Sequence, residues 1–288
     1  MTDRIPRRRF LHLSAEALGL AALAACGFQG QTDQSNPAIA TPTSAPLPAL
    51  ASSDILDSPG ILQPLPLADS ADLERATQVL ANLPELSPQA REQIEQSTVL
   101  LEVQPGKRIC NGVIPKKNAA IVLSTQTCIG NQPNTEILVH YTHKNTFSGQ
   151  AHIFHPDLDL AVVETGVDFA GRGVEVESTT KETVGDFVHV ISSVGNKDNK
   201  FYPKITNGIF VGGPSSLLSA KLNQDSPVRN NPNAINYLFF VMINEPFTPL
   251  VGAGIYDDNG INPNLIGLTV GSDIIDGRSY IFGVQIPK

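Results

Sequence analysis

The chain has 288 residues, 41% of them hydrophobic and 17% charged, with 23 Gly, 22 Pro, 3 Cys and no Trp. A mean hydropathy of −0.03 excludes a protein built of many membrane spans, and a formal net charge of −8 argues against phosphate-driven nucleic-acid binding. The length suits one two-lobed unit of about 200 residues with added segments. The abundance of Gly and Pro favours a turn-rich all-β fold over a helical bundle.

At the N-terminus, Arg4, Arg7, Arg8 and Arg9 precede Phe10 and Leu11, and an apolar stretch from Ala17 ends in Leu23-Ala24-Ala25-Cys26. A basic flank, a short apolar run and small residues before a processing point are the parts of a secretory signal. The run is too short to span a bilayer. Arg7 to Leu11 resembles a twin-arginine export signal, and Leu23 to Cys26 resembles a bacterial lipobox. The resemblance implies that residues 1–25 are removed as a signal peptide and that Cys26 is lipidated. The mature protein would then be anchored on the outer face of a bacterial cell membrane, touching it only through that lipid. Removal takes away four of 20 basic and two of 28 acidic side chains, leaving a net charge of −10. Such a surface repels DNA and anionic lipid alike.

From Gly27 to Asp69 there is no Lys, Arg or Glu, and seven prolines stand among small and polar residues. Composition of this kind cannot offset its own ordering entropy, so 26–69 is expected to be a disordered linker with a reach of roughly 35–40 Å. A helical lead-in, 70–97, follows. Leu73, Ala76, Leu80 and Leu83 keep helical spacing after Ser70, a good N-cap residue. Ser87-Pro88 reads as an N-cap with proline at the first helical position, opening a helix through Ile94. No repeated unit is evident in the sequence.

Beyond residue 98 the pattern is one of short β-branched or aromatic runs separated by Gly, Pro, Asn and Asp. Strands are predicted at Thr98–Val103, Ala119–Ser124, Glu136–Tyr141, Ala151–His155 and Leu160–Glu164. Five more fall at Phe187–Ser193, Ile209–Val211, Tyr237–Ile243, Leu265–Val270 and Tyr280–Ile286. Cys110 and Cys128 lie 18 positions apart around a hairpin. In an exported protein they are expected to form a disulfide, stabilising by about 3 kcal/mol.

Cys110-Asn111-Gly112-Val113, followed by a strand ending in Gln126-Thr127-Cys128, resembles the first lobe of the trypsin-like serine proteases. There a Cys-Gly-Gly turn leads to a strand ending in Ala-Ala-His-Cys. Asp159-Leu160-Ala161-Val162 is similar to that family's aspartate-bearing strand, and Val184-Gly185-Asp186-Phe187-Val188 and Thr206-Asn207-Gly208-Ile209 are similar to its later strand starts. Pro249-Leu250-Val251-Gly252-Ala253-Gly254 falls where Gly-Asp-Ser-Gly-Gly-Pro stands in the family. The resemblance runs from about Thr98 to Ile286. It implies two packed six-stranded β-barrels over 98–288, with lobes of about 98–180 and 181–288. With only two residues after the last predicted strand, the family's C-terminal helix is not expected.

The catalytic residues of that family do not carry over. Thr127 stands at the histidine position and Val251 at the serine position, and only Asp159 survives of the triad. A threonine is no base near neutral pH, and an isopropyl group cannot attack a carbonyl. Pro249 occupies a position whose N–H would serve an oxyanion, and proline has none. The resemblance therefore implies an exported trypsin-like pseudoprotease that binds a peptide or protein without cutting it and needs no cofactor. An active serine endopeptidase with a different nucleophile is the alternative. A metal- or small-ligand-binding lipoprotein is a third reading, resting on the histidines.

Of these, His140, His143, His152 and His155 lie on two predicted strands. A hairpin centred on Thr146 would set His140 opposite His152. Within each strand the two histidines point to opposite faces, so solvated strand-face residues are expected and no metal is assigned. His189, between Val188 and Val190, is expected to face outward, and Asp157 and Asp186 to stand in turns.

Overall fold

The computed structural model describes residues 65, 69–104, 108–130, 135–141, 145–155, 158–177, 181–195, 201–213, 238–257 and 262–286. The expected signal segment, Cys26 and nearly all of the expected linker lie outside these residues, as do His143 and Asp157. Among the described residues no helix is long and apolar enough to cross a membrane.

Helix α1 spans Ser70–Leu80 and buries Leu73, Ala76 and Leu80 on one face. Its N-cap is Asp69, one residue before the expected Ser70. The Asp69 carboxylate accepts from the Asp72 N–H at 2.8 Å, and the Asp72 carboxylate accepts from the Asp69 N–H at 3.2 Å. This reciprocal pair satisfies two donors at once, where Ser70 as cap would satisfy one. Helix α2 spans Pro88–Ser97, capped by Ser87, whose hydroxyl accepts from the Ala90 N–H at 3.1 Å. It runs past Ile94 directly into the first strand.

Six strands close the first barrel: β1 Thr98–Val103, β2 Arg108–Val113, β3 Ile121–Thr125, β4 Glu136–His140, β5 Thr146–His155 and β6 Leu160–Glu164. A short helix, α3 (Gln126–Ile129), follows β3. The second barrel comprises β7 Phe187–Gly195, β8 Phe201–Gly212, β9 Leu238–Ile243, β10 Gly254–Asp257, β11 Leu265–Ile275 and β12 Arg278–Gln285. Strand order is β1-β2-β3-β6-β5-β4 in the first and β7-β8-β9-β12-β11-β10 in the second, both closed and antiparallel. The all-β double barrel expected from the family resemblance is thus the architecture of the chain. The two orders are the same, so a repeat that the sequence does not display is present in the topology.

Closure removes sheet edges. Each strand then has one face inside its barrel and one outside. In β9, Phe239, Val241 and Ile243 join Val190, Phe210, Ile255 and Ile281 in one apolar cluster, the interior of the second barrel. Leu238, Phe240 and Met242 point the other way. They meet Val113, Leu123, Val162 and Phe282 in a layer drawn from both barrels, which also receives Leu73, Ala76 and Leu80 of α1. The first interior holds Val99, Leu101, Val122, Ile137, Val163 and the two cysteines.

Two expectations about the histidines are corrected. His140 pairs with Thr146, and His152 pairs with Val162 of β6, because the β4–β5 turn lies before residue 146 rather than around it. His189 does face away from the Val188–Val190 side, but it is only 1% exposed. Strand β7 packs against β1 of the other barrel, so the outer side of one barrel is here the inner side of the molecule.

Candidate functional site

Strand β3 delivers Thr125, whose hydroxyl accepts from the Cys128 N–H at 3.2 Å and so starts α3. This one-turn helix presents Thr127 beside Asp159, which immediately precedes β6. Asp159 has φ +56°, a left-handed conformation that aspartate tolerates better than most residues. Its carbonyl accepts from the Gln126 N–H at 2.9 Å. Its carboxylate accepts from the Thr127 N–H at 2.7 Å, and the Thr127 hydroxyl lies 3.0 and 2.9 Å from the two carboxylate oxygens. On the other side, the Arg108 guanidinium donates to the Thr127 carbonyl at 3.0 Å. Thr127 is held at its N–H, hydroxyl and carbonyl together.

Burial pushes the Asp159 carboxyl above the ordinary value of 3.8, and the two bonds from Thr127 pull it back only in part. Both carboxylate oxygens are engaged by the Thr127 hydroxyl, and one of them by the Thr127 N–H as well. The pair is a hydrogen-bonded carboxylate and hydroxyl with no imidazole between them, unlike a Ser-His-Asp arrangement.

Val251 is positioned by a different set of contacts. Its carbonyl accepts from the Asn111 N–H at 2.9 Å, and its side chain packs against the apolar cluster that contains Cys110 and Cys128. Cys110 and Cys128 are disulfide-bonded, with Cα atoms 5.8 Å apart. Thr127 directly precedes Cys128 in the chain, and the Val251 carbonyl is bonded to the neighbour of Cys110. The next residue, Gly252, has φ +82°, and a Cβ there would overlap the Asn111 carbonyl oxygen. Only glycine fits.

The N–H groups of this turn are mostly committed inward. Leu250 donates to the Ser192 hydroxyl at 2.9 Å, Gly252 to the Thr269 carbonyl at 2.8 Å, and Ala253 to the Thr269 hydroxyl at 3.0 Å. Pro249 has no N–H to give. At most the N–H of Val251 is left for a developing oxyanion, where two are needed for the usual stabilisation.

Asn111 is the residue that sequence reasoning missed. Fully buried in β2, it donates to the Val99 carbonyl at 3.2 Å and to the Ser193 carbonyl at 3.3 Å. Its side-chain oxygen accepts from the Ser192 hydroxyl at 3.0 Å and the Ser193 N–H at 3.1 Å. The side chain thus ties the first barrel to β7 of the second, while the backbone N–H of the same residue holds the turn carrying Val251. The neighbouring sequence carries no signal of it, because its partners Ser192 and Ser193 lie 81 and 82 residues away.

The described histidine side chains, those of His140, His152 and His189, have separate partners. His140 lies 3.2 Å from a Glu102 carboxylate oxygen and 2.9 Å from the Thr146 hydroxyl. His152 lies 3.7 Å from Glu164, and His189 lies 2.9 Å from the Asn207 side-chain oxygen. Among the described residues no group of three ligating side chains could hold a metal ion. Asp186 stands in a turn, accepting from the Thr183 N–H at 2.7 Å and hydroxyl at 2.9 Å.

No family model and no curated protein matches the sequence. Solved structures resemble the chain in shape. The MamO protease domain from Magnetospirillum magneticum, in its apo form, has a TM-score of 0.47 at 17% identity, covering 68% of this chain and 94% of that one. Rv3671c from M. tuberculosis H37Rv, as a serine-to-alanine mutant in an inactive form, has a TM-score of 0.48 at 14% identity, covering 70% and 90%. The HtrA-type protease AlgW with tripeptide has a TM-score of 0.47 at 16% identity, covering 69% and 60%. At such similarity the double barrel rests on the strand pairings of the chain itself.

Proposed function

We propose that the chain is a trypsin-like pseudoprotease: exported, held on the outer face of a cell membrane through lipid on Cys26, and binding a peptide or protein without cleaving it. The observation that carries this reading is the arrangement at Thr127. The base position is filled by a side chain whose hydroxyl and N–H both go to Asp159, so the surviving acid orients a group with no proton affinity. The loss of donors at Pro249 and of a nucleophile at Val251 supports the same reading, because three separate chemical requirements fail at one place. The retained fold is compatible with binding but does not specify it. The net charge of −10 left after removal of residues 1–25 favours a ligand other than nucleic acid.

The test is chemical. The purified full chain, incubated with a fluorophosphonate probe and with casein, is expected to show neither labelled serine nor hydrolysis. Stoichiometric labelling of a serine would overturn the proposal and establish an active endopeptidase. Anchoring is checked separately by fractionation. Cys26→Ser should move the protein from the membrane to the soluble fraction, and retention of that variant on membranes in high salt would exclude a lipid anchor as the cause.

A further inference from the structure

We propose that the cavity where β10 ends and β7 begins binds the ammonium or guanidinium group of an organic cation. It is a separate site, on the second barrel, and does not depend on how Thr127 and Val251 are read. The cavity measures about 470 Å³ and is lined by Glu177, Lys181, Glu182, Asp186, Phe187 and Asp257 with their neighbours. Four carboxylates face one ammonium. Most of these charges have partners: Lys181 is paired with Glu177 at 2.8 Å, Asp186 accepts from Thr183, and Asp257 accepts from the N–H and side-chain amide of Asn264 at 2.6 and 3.0 Å.

Glu182 is the exception. It is 8% exposed, lines the cavity, and makes no hydrogen bond or ion pair among the described residues. A buried carboxyl without a donor is costly to ionise. Here burial is the largest cause, followed by the charges of Asp257, Asp186 and Glu177, and Lys181 offsets them only in part, so its pKa is pushed up to about 7. A positive group in the cavity would supply what Glu182 lacks and relieve the repulsion from its neighbours. Among the described residues, no group of three carboxylates here could hold a metal ion. An organic cation large enough to reach more than one of the lining carboxylates would meet this need, and the Phe187 ring in the same lining offers it an apolar contact or a π face.

Spermidine and the blocked tripeptide acetyl-Gly-Arg-Gly-amide serve as probes, titrated separately into the full chain by calorimetry at pH 8 and pH 6. Binding of either supports the site. The tighter of the two tells whether a free polyamine or a basic side chain is the better occupant. Because the occupied form needs Glu182 ionised, affinity is expected to fall roughly tenfold from pH 8 to pH 6. Glu182→Gln should abolish that pH dependence and weaken binding at pH 8. Should the variant fold poorly, the pH ratio in the unaltered chain decides alone. Absence of binding at about 1 mM, equal affinity at both pH values, or Ca²⁺ binding in place of both probes would overturn the proposal.

Discussion

Asp159 is half-buried and yet accepts from both the N–H and the hydroxyl of Thr127, and these two circumstances act on its charge in opposite directions. Burial dominates, so its pKa lies above 3.8. Since the folded value exceeds the unfolded one, ionisation favours the unfolded chain. The group's contribution is therefore most favourable below pH 3.8 and declines as pH rises through the raised value. The hydrogen bonds are a separate matter, because removing the carboxylate leaves Thr127 donors without an acceptor. Asp159→Ala is expected to cost about 1–3 kcal/mol in urea unfolding. Asp159→Asn, which keeps one acceptor oxygen, should cost less. The stability advantage of the native residue over Asn should be larger below pH 3.8 than at neutral pH. An Asn variant as damaging as Ala would show that charge, not the accepted bonds, holds Thr127.

At the scale of elements, the joint between the barrels is a polar bond set around β2, and Asn111 is its centre. Asn111→Ala would leave the Val99 and Ser193 carbonyls, the Ser193 N–H and the Ser192 hydroxyl without the partner they share. We expect a loss of at least about 2 kcal/mol in denaturant unfolding. Asn111→Asp should be worse, because a carboxylate faces the two carbonyls with no donor; equal stability in the Asp variant would mean that water replaces the amide. Nothing in the local sequence reveals this joint. Ser192 and Ser193 lie 81 and 82 residues from Asn111, and only closure of both barrels brings them together. The same holds for strands. Thr98–Val103 and Leu160–Glu164 were legible to the residue, being aliphatic runs with polar limits. Strand β2 was not, because Asn111 and Gly112 weaken its propensity and pairing with β1 along its whole length supplies the order instead. In β8, expected only at 209–211, the chain is extended from Phe201. Pro203 is tolerated there because β9 pairs with β8 only from Gly208 onward, so that stretch has one free side. The Thr127–Asp159 contact was legible through the family's order of motifs. The His140–His152 pairing failed because a register argument inherits every error in the position of the turn.

Over the whole molecule, the two barrels repeat one strand order and meet in a shared apolar layer, and the turn bearing Val251 is bonded to β2 of one and β11 of the other. That frame is intact, so the loss of catalysis we propose should be partly reversible in defined steps. Thr127→His would give up the hydroxyl bonds to Asp159 but keep the backbone N–H that orients the carboxylate, leaving the acid set for an imidazole. Val251→Ser would supply the nucleophile. With Leu250, Gly252 and Ala253 all donating inward, however, the double variant still has at most one oxyanion donor. We expect it to stay near background on a peptide ester. Adding Pro249→Gly restores a second N–H and should raise the rate by about 10²–10³, the usual worth of one such donor. The measurement is the ester rate of the double against the triple variant, each checked for folding by its unfolding midpoint. Strong activity in the double variant would show that Pro249 withholds nothing essential. A folded triple variant no faster than the double would mean that the turn does not point its N–H groups toward the cleft.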